Sequence, residues 1–192
     1  MKKVIGITGG IATGKSAVTA FLLKNGYEVI DADAVVRELQ QIDGALYLMI
    51  RETFGADYFH ENGELNREKL GALIFSDNLA KQKLAKQQDA LIRAELIKRR
   101  DESQAEVVFM DIPLLFELNY TGFDEIWLIY APRAVQIQRL MKRNGLTESD
   151  AILRIKAQMP INDKRLLATR VIENCGTIEL LEEKLTKILY EI

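Results

Sequence analysis

Short apolar runs alternate with longer amphipathic segments along this chain of 192 residues. Five of the runs have the length and the apolar content of strands that are buried on both faces. They cover residues 4–8, 27–31, 107–111, 125–131 and 170–174. Helical periodicity separates them, and this alternation predicts an α/β, three-layer fold with a five-stranded parallel sheet. An active site is then expected at the carboxyl ends of the strands.

The longest interval between two strands, residues 33–104, has helical periodicity and little strand signal. We expect an inserted helical region in which Gly55 ends one helix and Asn66 caps another. The predicted organisation is a single domain over residues 1–192, with a core of 1–32 and 105–192 around the insert. The insert's expected inward-facing side chains are Leu70, Leu73, Ile74, Leu84, Leu91, Ile92 and Leu96.

A second helical pair follows the fourth strand. Pro132 is expected to open a helix that carries Arg139 and ends at Asn144-Gly145, and Thr147 to cap a helix that runs to about Met159. Basic side chains recur through this stretch. They predict a helical lid over about residues 139–160, with Arg139 placed to neutralise charge on a transferring phosphoryl group.

The amino-acid composition argues against general nucleic-acid binding, membrane binding and zinc binding. Lys and Arg total 26 against 28 Asp and Glu, and this balance implies no general affinity for nucleic acid or for an anionic membrane. The chain contains one cysteine, Cys175, and one histidine, His60, so it can form neither an internal disulfide nor a zinc site built from His and Cys ligands. We expect a cytoplasmic protein with no membrane segment, and a buried Cys175.

A glycine-rich segment directly after the first predicted strand carries the strongest functional signal. Gly9 to Ser16 reads G-G-I-A-T-G-K-S, the pattern of a phosphate-binding loop between a strand and a helix. Lys15 is predicted to reach the β- and γ-phosphates of ATP, and Ser16 to offer its hydroxyl to Mg²⁺. The predicted nucleotide-binding residues are Gly10, Ile11, Ala12, Thr13, Gly14, Lys15 and Ser16.

Carboxylates follow two other predicted strands. Asp33 is a candidate base for phosphoryl transfer to an alcohol, and the alternative is that it only caps a helix. Arg37, one turn later, is expected either to contact an anionic substrate or to form a weak surface pair with Asp33. Asp111 is a candidate Mg²⁺ ligand, and its alternative is a strand-ending residue before a proline turn.

With these residues assembled, the chain resembles the dephospho-coenzyme A kinase family of P-loop kinases along nearly its whole length. The resemblance rests on several motifs in fixed order. They are 7–16, Asp31-Ala32-Asp33 with Arg37, 62–67, Pro113 to Glu117, 138–146, and Arg154-Ile155 with Gln158. The chain departs from the family at Asp89-Ala90, where His-Pro is frequent, and at Thr169, where Asp is usual.

The resemblance implies ATP-dependent phosphorylation of the ribose 3'-hydroxyl of dephospho-coenzyme A, which yields coenzyme A and ADP. It implies Asp33 as the base, Lys15 and Arg139 as further catalytic residues, and Asn174 as a nucleotide contact. The expected substrate-binding residues are Asp33, Arg37, Arg67, Arg93, Leu114 and Glu117, although Leu114 also fits a packing role. We expect a monomer or a weak homo-oligomer.

Two other functions are weighed against this one. Another small-molecule or nucleoside-monophosphate kinase would share the fold, because the acceptor site sets the substrate. A GTPase switch is disfavoured by the sequence, since no D-x-x-G follows the loop and no N-K-x-D is present.

Overall fold

The computed structural model describes residues 2–192 and contains strands at all five predicted places. Fourteen elements longer than three residues follow one another along the chain. They are β1 Lys3–Gly9, α1 Lys15–Lys24, β2 Glu28–Asp31, α2 Ala32–Leu39, α3 Ala45–Phe54, α4 Arg67–Ser76, α5 Asn78–Glu102, β3 Val107–Asp111, β4 Glu125–Tyr130, α6 Arg133–Asn144, α7 Glu148–Lys156, α8 Ile161–Leu167, β5 Arg170–Glu173 and α9 Ile178–Leu189.

The five strands form one sheet in the order β2-β3-β1-β4-β5. The central strand β1 pairs in parallel with β3 and β4, and β4 pairs in parallel with β5. In this register Ile7 lies beside Asp111 and Gly9 beside Ile129. The strand that leads into the phosphate-binding loop is therefore at the middle of the sheet, next to the strand that ends in Asp111.

Helices cover the sheet because its strands are apolar on both faces. On one face, Ile5, Phe109 and Trp127 pack with Leu22 of α1 and Leu185 of α9 in a single core cluster. On the other face Gly6 leaves room for Leu115 and Phe123, since a Cβ at Gly6 would lie 2.8 Å from Leu115 Cδ1. The predicted three-layer α/β fold is confirmed.

The chain divides into two compact units. One contains the strands, apart from the last residue of β2, and runs up to Ile30 and again from Ser103 to Ile192. The other is the continuous segment Asp31–Glu102. In the second unit, Leu70 and Leu84 pack with Ile50 as predicted for an apolar interior. Arg99 of α5 and Glu38 of α2 form an ion pair of 2.5 Å, so the first and last helices of this unit are tied together. Arg99 also holds the pKa of Glu38 below its usual value.

The predicted helix ends agree with the structure at five positions and differ at one. Gly55 ends α3, the Asn66 side chain caps α4, and Gly145 ends α6 in the left-handed conformation. Pro132 is the N-cap of α6, and the Thr147 side chain caps α7. Helix α7 ends at Lys156 rather than near Met159. Pro160 disfavours a helical conformation at the residue before it, and the side chain of Gln158 bonds elsewhere.

Two further observations concern the single cysteine and the possibility of a membrane-spanning helix. Cys175 is exposed, so the expectation of a buried thiol is wrong: it lies in the short turn between β5 and the N-cap Thr177 of α9. Among residues 2–192 no helix is both long enough and apolar enough to cross a membrane.

Candidate active site

The loop between β1 and α1 has the backbone of an anion-binding turn. Ala12 and Gly14 adopt positive φ values of 60° and 92°. Thr13 Oγ1 donates a 2.9 Å hydrogen bond to the Gly10 carbonyl and closes the turn. Gly14 is the N-cap of α1, and no side chain caps this helix. The first N–H groups of α1 therefore remain available to a phosphate oxygen at the positive end of the helix dipole.

Two glutamines hold the peptide groups on either side of Ile11. The Ile11 N–H donates to Gln158 Oε1 at 2.7 Å. Gln136 Nε2 of α6 donates to the Ile11 carbonyl, also at 2.7 Å. The first half of the loop is thus fixed by Gln136, just before the predicted lid, and by Gln158, near the end of that lid.

The second half of the loop is held at the Thr13 carbonyl. Asn174 Nδ2 donates to this oxygen at 2.8 Å, and Arg139 Nη1 lies 3.4 Å from it. A Cβ on Gly14 would overlap the Asn174 amide. Asn174 and Arg139 thus lie together at the loop, as predicted for residues of a nucleotide site.

Asp111, at the carboxyl end of β3, contacts the start of α1 through both carboxylate oxygens. Oδ1 forms an ion pair with the Lys15 ammonium, and Oδ2 accepts a 2.8 Å hydrogen bond from Thr19 Oγ1. Asp111 is buried, whereas Ser16 is exposed. A buried carboxylate beside the phosphate-loop lysine is an oxygen ligand of the kind that Mg²⁺ binds directly or through water.

No dense cluster of metal ligands accompanies Asp111. Among residues 2–192 there is no group of three or more His, Cys, Asp or Glu side chains that would enclose a metal ion. This donor set fits a magnesium ion that takes most of its ligands from nucleotide phosphates and water. Asp111 and Ser16 remain the predicted ligands of such an ion.

Glu117 lies in the segment after β3, and one of its carboxylate oxygens makes two contacts within the protein. Its Oε1 forms a 2.8 Å ion pair with Lys164 and accepts a 3.1 Å hydrogen bond from the Met159 N–H. Its Oε2 is buried and has no partner among residues 2–192. Nearby, Leu114 is exposed and Leu115 is fully buried, so Leu115 is the leucine that packs in the interior.

In the segment Asp31–Glu102, the helix-cap interpretation of Asp33 is wrong. Asp31 is the N-cap of α2, and its Oδ1 accepts a 2.8 Å hydrogen bond from the Asp33 N–H. Arg37 lies 3.7 Å from Asp31 Oδ2, so its weak surface pair is with Asp31 and not with Asp33. Within residues 31–102 the exposed Asp33 carboxylate has no hydrogen bond or ion pair.

The same segment contains a cavity of about 680 Å³. Two of the predicted substrate-binding residues, Arg37 and Arg67, line it together with Tyr47. Both terminal nitrogens of Arg67 donate to Gln40 Oε1 at 3.1 Å, and this contact holds the guanidinium in place. The charged side chains in the lining are these two arginines and Glu64.

Arg93 is not among the residues that line this cavity. It lies on α5, one turn after Asp89, and its Nε donates to Asp89 Oδ2 at 2.7 Å. Asp89, which stands where the family often has His, therefore forms an ion pair with the arginine that the resemblance assigns to the substrate.

Comparison with known proteins decides the family. The sequence model of dephospho-CoA kinase matches residues 3–179, which is most of the chain. The chain belongs to the dephospho-CoA kinase family. The dephospho-CoA kinase of Lactococcus lactis subsp. lactis (strain IL1403) is 49% identical, with 98% of each chain covered. That of Streptococcus mutans serotype c is 50% identical and covers 93% of this chain and 92% of its own.

A solved structure agrees with these relatives. The dephospho-CoA kinase from Campylobacter jejuni is 26% identical, superposes with a TM-score of 0.72, and covers 100% of this chain and 97% of its own. The P-loop kinase fold expected from the sequence is thereby confirmed.

One departure from the family pattern has a structural explanation. Thr169 precedes β5, and its Oγ1 accepts a 2.6 Å hydrogen bond from the Ile126 N–H and donates to the Ile126 carbonyl at 3.0 Å. This position is at the amino end of β5, whereas the phosphate-binding loop is at the carboxyl end of β1. Through these bonds Thr169 joins the start of β5 to β4.

Sequence reasoning did not single out Gln136, and it named Lys164 only as one of several basic residues in and after the predicted lid, although both side chains contact the loop. Gln136 is in the first turn of α6 and is buried, and Lys164 is in α8 and is fully buried. A buried position for Gln136 is consistent with the spacing of Gln136 and Leu140 on one face of α6. Lys164 lies between charged neighbours, Asp163 and Arg165, and no sequence pattern distinguishes it from a surface lysine.

Proposed function

We propose that this chain catalyses ATP-dependent phosphorylation of the ribose 3'-hydroxyl of dephospho-CoA, with coenzyme A and ADP as products. One observation carries the proposal most strongly: the phosphate-binding loop, with Lys15 and Asp111 beside it, is present in a member of the dephospho-CoA kinase family. The reaction forms a bond between the 3'-oxygen and the γ-phosphorus and breaks the bond from that phosphorus to ADP.

The donor nucleotide is bound by the loop and α1. The first N–H groups of α1 and the Lys15 ammonium bind the phosphates of ATP. Lys15 exchanges its ion pair with Asp111 for one with the nucleotide, because phosphate oxygens carry more negative charge than one carboxylate. Arg139, already near the Thr13 carbonyl, supplies positive charge to the transferring phosphoryl group.

Mg²⁺ would be held by Asp111 and the Ser16 hydroxyl together with phosphate oxygens. When bound, the ion neutralises charge on the β- and γ-phosphates. With Lys15 withdrawn towards the nucleotide, Asp111 Oδ1 becomes free for such an ion or its water, while Thr19 keeps Oδ2 oriented.

The acceptor is bound by the segment Asp31–Glu102. Asp33 orients the 3'-hydroxyl and takes its proton as the new bond forms, a role for which its unpaired, exposed carboxylate is available. Arg37 and Arg67 line a cavity that suits the diphosphate and the pantetheine arm of the acceptor. Arg93, Leu114 and Glu117 are the further substrate contacts that we propose from the family resemblance.

An assay with defined acceptors tests the function. Purified protein is incubated with Mg-ATP and dephospho-CoA, and the products are separated by chromatography. We expect stoichiometric coenzyme A and ADP, with no turnover on nucleoside monophosphates. Turnover on a nucleoside monophosphate without any coenzyme A would assign the chain to another small-molecule kinase, and GTP hydrolysis without an acceptor would assign it to a GTPase.

Replacing Asp33 tests the base. Asp33→Asn keeps the size of the side chain but cannot accept the proton, so we expect kcat to fall by about a hundredfold or more while the Kd for ATP stays nearly unchanged. Asp77→Asn is the matched control, since Asp77 caps α5 in the same unit and Asn caps equally well. Near-normal kcat for Asp33→Asn would exclude Asp33 as the base.

A further inference from the structure

Lys164 is a fully buried cation beneath the phosphate-binding loop. Its Nζ lies 2.8 Å from Glu117 Oε1 and donates a 3.1 Å hydrogen bond to the Gly9 carbonyl. Removing an ammonium group from water costs several kcal/mol, and the nearby carboxylate offsets part of that cost. Such a pair is often no more stabilising than apolar side chains of the same volume. Its position at the first residue of the loop therefore suggests a role beyond stability.

Glu117 connects this lysine to the end of the lid. Its Oε1 accepts the N–H of Met159, the residue that follows Gln158, and Gln158 in turn accepts the N–H of Ile11. The short segment from Gln158 to Lys164 thus contacts the loop at both Gly9 and Ile11. The end of the lid and the first residues of the loop form one hydrogen-bonded unit.

The contact at Gly9 also determines the direction of the next N–H group. The Gly9 carbonyl and the Gly10 N–H belong to one planar peptide group, so a donor that fixes the carbonyl also fixes the N–H. Glycine at position 10 leaves the backbone otherwise free to turn. A Cβ at Gly10 would lie 2.5 Å from Gln136 Nε2, so a side chain at position 10 would displace the amide that binds the Ile11 carbonyl.

We propose that Lys164 is a positioning residue for nucleotide binding. Through the Gly9 carbonyl it fixes the peptide plane that begins the phosphate-binding loop, and through Glu117 it keeps the end of the lid in register with that loop. The proposal rests on the proposed function for the identity of the donor nucleotide, but it requires no particular acceptor. Lys164 acts through the backbone and touches no reacting atom.

The test measures nucleotide binding directly. Lys164→Met removes the donor and leaves Glu117 unpaired, whereas the double variant Glu117→Gln, Lys164→Met leaves neither charge buried alone. We expect the double variant to recover most of the thermal stability that Lys164→Met loses. The Kd for Mg-ADP, measured by titration calorimetry, should remain about tenfold weaker than in the wild type in both variants.

A second lysine–glutamate pair provides the control. Lys3 and Glu125 form a 2.7 Å ion pair at the amino end of the sheet, away from the loop. Lys3→Met should lower the melting temperature and leave the Kd for Mg-ADP within about twofold of the wild type. If the double variant binds Mg-ADP as tightly as the wild type, the Lys164–Glu117 pair is packing alone and the proposal is wrong. Failure of the wild type itself to bind Mg-ADP would instead contradict the proposed function.

Discussion

At the scale of single residues, the loop conformation depends on two backbone positions that most side chains do not tolerate. Ala12 has a φ of 60° and Gly14 has a φ of 92°. Gly14 also lies against the Asn174 amide, which bonds to the Thr13 carbonyl. Position 14 therefore combines a conformational requirement with a steric one, and the two can be separated by mutation.

Gly14→Ala should lower the unfolding free energy by about 2 kcal/mol and weaken Mg-ADP binding at least tenfold, because the new methyl group must displace Asn174. Gly26→Ala is the control for backbone strain alone. Gly26 has a φ of 81°, and a Cβ there would meet no atom within 4 Å. The unfolding free energy of Gly26→Ala should fall by about 1 kcal/mol, and its nucleotide binding should be unchanged. Denaturant titration and calorimetry measure the two effects, and equal losses of binding would contradict the steric argument.

At the scale of elements, ion pairs at the amino end of the sheet join β1, β4 and β5. Glu125 of β4 contacts Lys3 of β1 at 2.7 Å and Arg170 of β5 at 3.5 Å, and Trp127 Nε1 donates to its Oε2. The hydrogen bond from Lys3 is the largest cause of a lowered pKa at Glu125. A carboxyl group with a lowered pKa in the folded state stabilises the fold at neutral pH, and this contribution disappears as the pH falls through that pKa.

Glu125→Gln should therefore lower the unfolding free energy at pH 7 by about 1 kcal/mol. The difference from the wild type should shrink as the pH drops below the reference value of 4.5. Urea titrations at pH 7, 5 and 3.5 measure it, with the exposed Glu61→Gln as a control that should follow the wild type throughout. A difference that is the same at every pH would show that the charge of Glu125 does not contribute.

At the scale of the whole molecule, the residues assigned to the two substrates fall mainly in different compact units. The phosphate-binding loop, Asp111, Arg139, Lys164 and Asn174 all belong to the unit that contains the sheet. Asp33 and the cavity lined by Arg37 and Arg67 belong to Asp31–Glu102. Binding of each substrate should consequently leave its own pattern of protection along the chain.

Hydrogen exchange followed by mass spectrometry measures this pattern. Mg-ADP should slow exchange in peptides that contain residues 9–16 and 158–164, because binding stabilises hydrogen-bonded segments against local opening. Dephospho-CoA should slow exchange in peptides within 31–102. Protection by dephospho-CoA that leaves every peptide of 31–102 unchanged would contradict the assignment of the acceptor to this segment.

The sequence predicted the parts of this protein that follow from periodicity and from local motifs. All five strands, the ends of α3 and α6, and the Asn66 cap could be placed because each depends on residues that are close in the chain. The ion pair between Lys15, the first residue of α1, and Asp111, the last residue of β3, was not predicted, because it depends on the pairing of β1 with β3.

Contacts between distant parts of the chain could not be predicted in the same way. Lys164 lies 155 positions from Gly9, and charged neighbours conceal its burial. The cap of α2 was assigned to Asp33 as an alternative, whereas Asp31 performs it, because two carboxylates two residues apart satisfy the same local pattern. Such cases are decided by the exact start of a helix, which propensity does not fix.

The two glutamines that bind the peptide groups on either side of Ile11 also bear on where the chain can change in length. Gln136 and Gln158 bind the loop at the beginning and at the end of the helical segment between them, and the turn at Asn144-Gly145 lies in the middle of that segment. Residues inserted at that turn would leave both anchors in place. One residue inserted between Gln158 and Lys164 would separate the contacts to Ile11 and Gly9. Among related enzymes, natural insertions should therefore accumulate at the outer turn and be absent from this inner segment.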